Sequence, residues 1–495
     1  MSILNRARNF APSTAPRASK ARRRRARGFR PEASLLEGRQ LLSAVFAVTN
    51  DSGSATDTGS LPWAVAQANA NDSGVSFINF DIPGDGPHVI DVTAPLELNS
   101  QTVINATTQP GYADGKPMVT VDGGGATATL FQLGQGSSGS TVQGLAMVGF
   151  TTSGVAIANG SQGNWILQNN IGFATDASGA VTLNSSATTQ QATGVSIQSS
   201  FNTVWSNTIS GVQNGVVIGD TSGGDDASDD DASGDDASGD NSSGTQYKTN
   251  SIQMNNIGTD PMGMTTTGFG NAADGILLAA GASENFIGPG NVLSGNEGAG
   301  LEMTDASNQG NVVFTNMIGL DRQAMAAIPN GGFGVLLTGG ATGNAIGGPF
   351  GGNYVAANPS GGIALGQSGL GAANANWVQG NLVGLDVGQA AVVGAQNLGI
   401  TVWGSSSNTV TGNVVGGIDG DGLLLTQATG NNVGGNWLGQ STGGAAFANA
   451  GSGVALLDHS TGNWIHANMF GSNTQGNVFT DQTSTNNVIG RGQQA

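Results

Sequence analysis

The sequence contains no cysteine, which excludes disulfides, cysteine-ligated metal sites and thiol nucleophiles. Charged residues make up only 10% of the 495 residues and aromatic residues only 5%, whereas 83 residues are glycine. An ordinary globular domain carries about a quarter of charged residues. Scarce charge, abundant glycine and sustained valine, isoleucine and leucine therefore indicate short stacked strands rather than ordinary globular domains.

Long hydrophobic runs are also missing. A membrane-spanning helix needs roughly 18 or more consecutive apolar residues, and no stretch beyond residue 48 reaches that length. We therefore predict no membrane span.

Basic residues are scarce beyond the N-terminal segment. Eleven of the fifteen lie before residue 45, and the four basic and thirty-one acidic residues that follow give a net charge of 4 − 31 = −27. Nucleic-acid binding depends on lysine and arginine side chains that neutralise phosphates. The charge of residues 45–495 therefore excludes nucleic acid as a partner.

Residues 1–44 differ in composition from the rest and contain four consecutive arginines at 22–25. Such a segment is typical of a targeting signal, and the alternative is a disordered basic tail. The stretch L-L-E-G-R-Q-L-L-S-A at 35–44 resembles the L-E-x-R-x-L-L-S segment that precedes many large exported bacterial surface proteins. The resemblance implies a bacterial protein that is extracellular or held at the cell surface.

One short pattern recurs along the chain: Asn, any residue, Ile or Val, two further residues, Asn, any residue, and an apolar residue. Its copies start at Asn164, Asn202, Asn250, Asn311, Asn376, Asn408, Asn431 and Asn463. Eight copies make the pattern architectural. Trp464 and His466 lie inside the last copy, so they belong to the repeat and not to a unique motif.

A second pattern, glycine followed by alternating apolar residues, precedes most copies of the first. It starts at Gly154, Gly194, Gly215, Gly275, Gly300, Gly334, Gly362, Gly399, Gly422 and Gly453. Strands this short must bury their apolar rows against neighbouring coils. A period of about 22 residues predicts three strands per coil. We expect glycine or asparagine at the bends that need positive φ, and stacked asparagine amides.

These repeats resemble the right-handed parallel β-helix superfamily of secreted bacterial proteins over residues 101–490. The resemblance implies an all-β solenoid of three-faced coils. The superfamily includes pectate-lyase-like and polygalacturonase-like enzymes, phage tailspikes and adhesins, so the resemblance implies a fold and not a function.

Residues 45–100 are predicted to form an N-terminal cap with one short helix between two strands. The stretch G-S-L-P-W-A at 59–64 resembles the C-S-L-R-E-A-like motif in the cap of secreted β-helix proteins. We expect Trp63 to pack over the first coil, because aromatic side chains dominate apolar burial at such ends.

An acidic insertion at residues 220–244 contains nine aspartates and interrupts one coil. It has no apolar residue larger than alanine, which predicts a solvated, disordered loop. The alternative is a calcium site, although the spacing of the aspartates is not that of an EF-hand. The candidate calcium ligands are Asp225, Asp226, Asp229, Asp230 and Asp231.

Trp165, Trp377 and Trp464 occupy equivalent positions in the repeat. Each precedes an apolar residue that we expect to face the core, so the tryptophans are predicted to project outward on one face. There their flat apolar rings would bind sugar rings. The alternative is that they pack beneath inserted loops.

Catalysis has weaker support in the sequence. The G-H-G and R-x-K patterns of polygalacturonase-like enzymes are absent. Asp176, Asp260, Asp321 and Asp386 recur at related corners, where they would serve as calcium ligands or as a hydrolase pair. Their recurrence favours a structural role as turn caps that accept backbone N–H groups.

Together these patterns predict an exported protein that binds carbohydrate, or is adhesive or structural, without catalysis and without a cofactor. Its predicted partner is a polysaccharide or surface glycan, and self-association is predicted at the C-terminal coil. The alternative is a calcium-dependent polysaccharide lyase or glycoside hydrolase. Two or three convergent aspartates beside Lys116, Lys248 or Arg322 would favour catalysis, and a flat, evenly decorated face would favour binding.

Overall fold

The computed structural model describes residues 43–71, 74–176, 178–183, 192–221 and 246–490. Three predictions lie outside these residues. They are the export segment as far as residue 42, the disordered loop of the acidic insertion from residue 222 onward, and the calcium candidates Asp225, Asp226, Asp229, Asp230 and Asp231.

The described chain is a stack of coils in which each strand pairs in parallel with its counterparts in the coils before and after. One side of the stack, face A, is a fifteen-stranded sheet. Its strands are Ala44–Val48, Ser76–Phe80, Thr102–Asn105, Thr141–Gln143, Trp165–Leu167, Thr203–Trp205, Ser251–Gln253, Phe286–Ile287, Val312–Val313, Ala345–Gly347, Trp377–Gln379, Thr409–Thr411, Asn432–Gly434, Trp464–His466 and Val488–Ile489.

The other two sides, faces B and C, are joined by the long strands Val119–Leu133 and Ala146–Ile157. Face B continues with His88–Asp91, Asn170–Ile171, Thr208–Ile209, Asn256–Ile257, Val292–Leu293, Met317–Ile318, Tyr354–Val355, Leu382–Val383, Val414–Val415, Trp437–Leu438 and Met469–Phe470. Face C continues with Leu96–Leu98, Thr193–Ile197, Asn214–Ile218, Ile276–Leu278, Leu301–Met303, Phe333–Leu337, Gly361–Leu365, Ile400–Trp403, Leu423–Thr426, Val454–Leu457 and Val478–Thr480.

A few elements lie outside the three faces. They are the α-helix Leu61–Asn69, the 3₁₀-helix Ala106–Thr108, the antiparallel hairpin Phe173–Thr175 with Val181–Leu183, and the parallel pair Tyr247–Lys248 with Ala282–Ser283. The predicted right-handed parallel β-helix with one short N-terminal helix is confirmed. In the described part of the chain, no helix combines the length and the apolar character needed to cross a membrane.

The N-terminal helix covers the start of the stack. Ser60 caps the helix by accepting a hydrogen bond from the Trp63 N–H (3.1 Å), which satisfies one of the free donors at its first turn. Leu61 and Val65 are buried on the inner side of the helix. The Trp63 ring packs edge-on against Phe46 at 6.2 Å, on the first strand of face A. That strand, Ala44–Val48, pairs with Ser76–Phe80, so the region predicted as a cap also continues face A.

Two ladders of buried asparagines connect the coils on either side of face A. In each rung the Oδ1 of one asparagine accepts a hydrogen bond from the Nδ2 of the asparagine one coil earlier, and in nearly every rung it also accepts one from the backbone N–H of that residue. Its own Nδ2 donates to a backbone carbonyl. The first ladder runs through Asn164, Asn202, Asn250, Asn285, Asn311, Asn344, Asn376, Asn408, Asn431, Asn463 and Asn487. The second runs through Asn169, Asn207, Asn255, Asn291, Asn316, Asn353, Asn381, Asn413, Asn436 and Asn468.

The ladder asparagines do not have the positive φ expected of bend residues. Positive φ occurs instead at the residue that precedes an asparagine of the second ladder, as at Gln168, Ser206, Met254 and Gly380. The asparagines recur because their amides satisfy buried backbone groups, which cost free energy when unpaired. The sequence prediction of stacked amides is therefore right. The prediction of glycine or asparagine at the positive-φ bends holds for many glycines and is wrong for the ladder asparagines.

The glycines that open the strands of face C are also present for a reason other than positive φ. A Cβ on Gly275 would lie 2.6 Å from the carbonyl oxygen of Gly300, and one on Gly300 would lie 2.7 Å from that of Gly334. Neighbouring coils approach too closely there for any side chain. Glycine at this position is therefore a packing requirement.

A pair of acidic side chains is partly buried on the outer side of face C. The carboxylate of Asp274 accepts a hydrogen bond from the Ala299 N–H (2.7 Å) and is hydrogen-bonded to Glu302. Burial, aided by the charge of Asp274, raises the pKa of Glu302 to about 7, and burial also raises the pKa of Asp274. Two carboxyl groups this close share one proton near neutral pH.

The asparagine ladder predicts a stability effect at Asn413. Its Oδ1 accepts hydrogen bonds from Asn381, and its Nδ2 donates to Val378 and Asn436. We expect Asn413→Ala to lower the free energy of unfolding by about 3 kcal/mol or more, because buried backbone groups lose their partners. The matched control is Asn397→Ala at an exposed asparagine, with an expected change of about 0.5 kcal/mol or less. Equal shifts of the urea midpoint in the two variants would contradict the role of the ladder.

The acidic pair predicts a pH dependence of stability. The folded state raises the pKa of Glu302 from an ordinary 4.5 to about 7. The stability that protonated Glu302 contributes is therefore complete below pH 4.5 and is lost as the pH rises to about 7. We expect Glu302→Gln to remove this loss and to be more stable than the wild type at pH 8, by roughly 1 to 2 kcal/mol. Thermal unfolding between pH 4 and pH 8 measures the effect, with exposed Glu297→Gln as the control. Parallel curves for wild type and Glu302→Gln would show that the pair does not share a proton.

Candidate functional site

The four recurring aspartates each begin the turn of a short hairpin that leaves the stack after face B. Asp321 Oδ1 accepts hydrogen bonds from the N–H groups of Met325 (2.8 Å) and Ala326 (3.1 Å). Asp386 repeats this arrangement with its residues four and five positions later, and so does Asp260. Asp176 accepts from Ser178 and Ala180. Each carboxylate therefore caps the turn that it starts.

The hairpins occur on every second coil. They follow the face-B strands Asn170–Ile171, Asn256–Ile257, Met317–Ile318 and Leu382–Val383, whereas the strands between them are followed by shorter connections. A fifth hairpin follows Trp437–Leu438, where Ser441 Oγ replaces the aspartate and accepts from the Ala445 N–H (3.0 Å). A search for aspartate misses this member because a serine hydroxyl performs the same capping.

Successive hairpins also contact one another. The N–H of Arg322 donates to the carbonyl of Gly263 (2.8 Å), and the N–H of Val387 donates to that of Ala324 (3.0 Å). Asp260, Asp321 and Asp386 thus belong to one column of stacked hairpins along the outside of the helix.

A cleft with a volume of ≈ 980 Å³ lies at the N-terminal end of this column. Its floor comes from face B, where Asn170, Thr208 and Asn256 are in register on consecutive coils. One edge is the ridge of turn residues Gln168, Ser206 and Met254. The cleft therefore runs along the helix axis across three coils.

Loops from distant parts of the chain form the walls of the cleft. The turn at residues 113–116 is held by hydrogen bonds from Gln168 Nε2 to Asp114 Oδ1 (3.1 Å) and from Asn170 Nδ2 to the Gly115 carbonyl (3.3 Å). The rings of Phe173 and Phe269 meet edge to face at 5.1 Å and supply an apolar part of the wall. The cleft thus combines hydrogen-bonding and aromatic surface.

The cleft brings together five charged side chains. They are Asp114, Lys116, Asp176, Asp260 and Arg322. Three aspartates, a lysine and an arginine therefore line one cleft. Two of the four predicted aspartates, Asp321 and Asp386, are not among the lining residues, and neither is Lys248. The sequence gives no signal for Asp114, which is outside the repeat pattern.

Arg322 reaches from its own hairpin to the floor of the cleft. Its Nη2 donates to Asn256 Oδ1 at 2.5 Å. Burial lowers the pKa of Arg322, and the nearby carboxylate of Asp260 acts in the opposite direction. The guanidinium stays charged and is held by a fixed partner, so it presents an oriented cationic donor to the cleft.

Asp176 is held in its ionised form. The hydroxyl of Ser178 donates to its Oδ1 at 2.6 Å, and this bond, followed by that from the Ala180 N–H, lowers the pKa of Asp176. A carboxylate with a lowered pKa is a weak base, and it suits a nucleophile or an acceptor of hydrogen bonds from sugar hydroxyls better than a proton donor. Asp176 also lines an adjoining cavity of ≈ 330 Å³ together with Asp85 and Asp122, which extends the acidic surface beyond the cleft.

In the described residues, no three histidine, aspartate or glutamate side chains are close enough together to hold a metal ion.

The three predicted tryptophans project outward from face A. Trp165 and Trp377 are each 48% exposed and Trp464 is 49% exposed, whereas the residues that follow them, Ile166, Val378 and Ile465, are fully buried. All three tryptophans occupy one row, but Trp377 is six coil steps from Trp165. At about 4.8 Å per step this separation is about 29 Å.

His466 is an outward neighbour of Trp464. Its ring stacks on the indole at 3.8 Å with an interplanar angle of 22°, and its Nε2 forms a hydrogen bond with Asn432 Oδ1 (2.8 Å). The pair lies far along the stack from the cleft. His466 therefore contributes to an exposed aromatic surface, and its partner in the described part of the chain is an amide.

The chain is similar in fold to several solved polysaccharide-active proteins. The periplasmic alginate epimerase AlgG is 13% identical with a TM-score of 0.40, and the match covers 80% of this chain and 77% of that one. The mannuronan C-5 epimerase AlgE4 A-module of Azotobacter vinelandii is 12% identical with a TM-score of 0.40, covering 90% and 100%. The PL6 family polysaccharide lyase Pedsa3628 from Pseudopedobacter saltans is 11% identical with a TM-score of 0.35, covering 88% and 93%. Likenesses at these identities and TM-scores do not bear on activity.

No curated protein matches the chain in sequence. Residues 338–489 match the family described as periplasmic copper-binding protein (NosD), and this match spans less than half of the chain.

The residues of the matched segment do not fit a copper site. Its two histidines are His459 and His466 and its single methionine is Met469. The ring of His466 is hydrogen-bonded to Asn432. His459 lies in a different turn, where its backbone N–H donates to the Thr483 hydroxyl. Copper needs several nitrogen or sulfur ligands directed at one point. The segment that matches NosD therefore consists of coil repeats, and among its described residues no group of side chains is arranged to hold copper.

Proposed function

We propose that this protein is an exported β-helix protein that binds a polysaccharide in the cleft between the 113–116 turn and the first hairpins of the column. The observation that carries the proposal is the grouping of Asp114, Asp176, Asp260, Lys116 and Arg322 around a cavity of ≈ 980 Å³. Elsewhere the hairpins repeat on every second coil, whereas this cleft also takes residues from the N-terminal loops. A binding site generally needs such an irregular place.

The chemistry of the cleft suits sugar rings. Carboxylates and side-chain amides accept and donate hydrogen bonds to hydroxyl groups, and Arg322 supplies a fixed donor. Phe173 and Phe269 offer apolar surface to the C–H faces of the sugar. An open cleft across three coils suits a polysaccharide chain that enters at one end of the cleft and leaves at the other.

The proposal predicts that Arg322→Ala weakens polysaccharide binding. The full chain is titrated by calorimetry with oligosaccharides chosen from a panel of neutral, uronate and amino-sugar polysaccharides. We expect Arg322→Ala to raise the dissociation constant of the bound oligosaccharide by about tenfold or more, because a hydrogen bond from a charged donor contributes about 1.5 to 3 kcal/mol.

The matched control is Lys248→Ala, which removes one positive charge outside the cleft. It should leave the dissociation constant unchanged. Equal loss of affinity in both variants would indicate a general charge effect, and no binding to any polysaccharide would refute the proposed function.

A second function, cleavage of the bound polysaccharide, is favoured by the three aspartates in the cleft. The Oδ1 of Asp260 accepts hydrogen bonds from the N–H groups of Met264 and Thr265. The negative charge of Asp260 also acts to raise the pKa of Arg322, against the lowering effect of burial. Asp176 is ionised, as a carboxylate nucleophile must be. In this cleavage mechanism a carboxylate of the cleft acts as a base or nucleophile, and Lys116 or Arg322 stabilises the negative charge that develops during the reaction.

The hairpin caps provide a sharp test of cleavage. Asparagine keeps an Oδ1 that accepts the capping bonds but removes the charge. If the wild type releases reducing ends, we expect Asp176→Asn or Asp260→Asn to lower the rate by about 100-fold or more. Assays with and without calcium show whether the ion takes part.

Asp386→Asn is the control for this test, since it changes the same cap outside the cleft and should keep full activity. Failure of all three variants would indicate a folding role, and retained activity in Asp176→Asn and Asp260→Asn would remove both residues from the mechanism.

Export and self-association remain parts of this proposal. Export is supported by the sequence of residues 35–44, and the destination is the periplasm, the cell surface or the medium. Self-association at the last described coil is supported by the exposed side chains of Phe479 and Val488.

A further inference from the structure

A fourth tryptophan lies next to Trp165 on face A. Trp165 pairs with Thr203 on the next coil, and Leu167 pairs with Trp205. Side chains two positions apart on a strand point to the same side, so Trp165 and Trp205 are diagonal neighbours on the outer surface. The spacing of strands and residues places their Cα atoms about 8 Å apart.

Both indoles are available to solvent. Trp165 is 48% exposed and Trp205 is 38% exposed. Thr203 and Leu167, at the other two corners of the same patch, are half-buried. The four residues, which we call the aromatic platform, form a shallow surface with two indoles, and clustered exposed aromatic surface is typical of a binding site.

The aromatic platform is continuous with the cleft. Gln168 follows Leu167 and Ser206 follows Trp205, and both line the cleft. Gln168 and Ser206 have positive φ values of 53° and 57°, which turn the chain from face A to face B at this edge. A ligand that leaves the cleft over the Gln168–Ser206 edge meets the aromatic platform directly.

We propose that the aromatic platform is a second subsite for the polysaccharide held in the cleft, and that it binds sugar units beyond those in the cleft. This inference rests on the proposed function. It divides the outward tryptophans into two classes: Trp165 and Trp205 belong to the binding site, while Trp377, about 29 Å along the same row, does not. It also makes chain length the property that the protein recognises, because a short oligosaccharide fills the cleft without reaching the platform.

The test compares short and long oligosaccharides of the polysaccharide that the full chain binds. We expect the double variant Trp165→Ala/Trp205→Ala to weaken binding of long oligosaccharides by about tenfold. For oligosaccharides short enough to occupy only the cleft, the expected change is less than about twofold. Quenching of tryptophan fluorescence by the long ligands should also be lost.

Trp377→Ala is the matched control, since it removes a tryptophan of equal exposure from the same row. It should bind short and long ligands as the wild type does. Because the replaced side chains are exposed, circular dichroism and the thermal midpoint should be unchanged in every variant, and Trp165→Phe/Trp205→Phe should recover most of the affinity for long ligands.

The outcomes separate this inference from the proposed function. Binding of long ligands that is equal in wild type and double variant, with Arg322→Ala still defective, would overturn the platform and leave the cleft. Loss of short and long ligands alike would show that the tryptophans act on the cleft itself and would also overturn it. Loss of self-association by light scattering, with glycan binding intact, would assign the platform to contacts between copies. Absence of any glycan binding would remove both proposals.

Discussion

The hydrogen bond from one asparagine side chain to the next is the interaction on which this structure depends. A coil with strands of two to five residues leaves many buried backbone groups at its bends, and each unpaired group would cost free energy. The ladder asparagines occupy those bends, and each of them serves its own coil and the previous one. Satisfying the bends in this way allows strands too short for an independent sheet to stack into one continuous core, which extends from Val48 to Ile465.

The same principle explains how far the sequence predicts the structure. The recurrent asparagines and the period-two apolar residues suffice for the three faces, because one residue type performs one task in every coil. A pattern of fixed spacing misses the rungs at Asn285 and Asn344, since the chain reaches the second ladder only at Asn291 and Asn353. The extra residues bulge at the bend while the amide positions stay in register. Ser441 is missed for a related reason, because the capping geometry is kept and the residue type is changed.

The candidate site is much less predictable than the fold. Its walls come from segments without periodicity, and residues as distant in sequence as Gly115 and Pro261 become neighbours there. Asp176 and Asp260 carry the same signal as Asp321 and Asp386, and only the position of the N-terminal loops separates the pair in the cleft from the pair outside it. Trp205 is at a different repeat position from Trp165, so their adjacency follows from the coil register and not from the repeat itself.

Alternation of coils with and without a hairpin sets the structural unit of this solenoid. Asp260, Asp321 and Asp386 are 61 and 65 residues apart, which is the length of two coils. Gain or loss of a single coil would bring two coils of the same kind together and break the contacts between hairpins. The molecule can therefore change length by whole pairs of coils, and its outer column behaves as a second, coarser repeat superimposed on the fine repeat of the core.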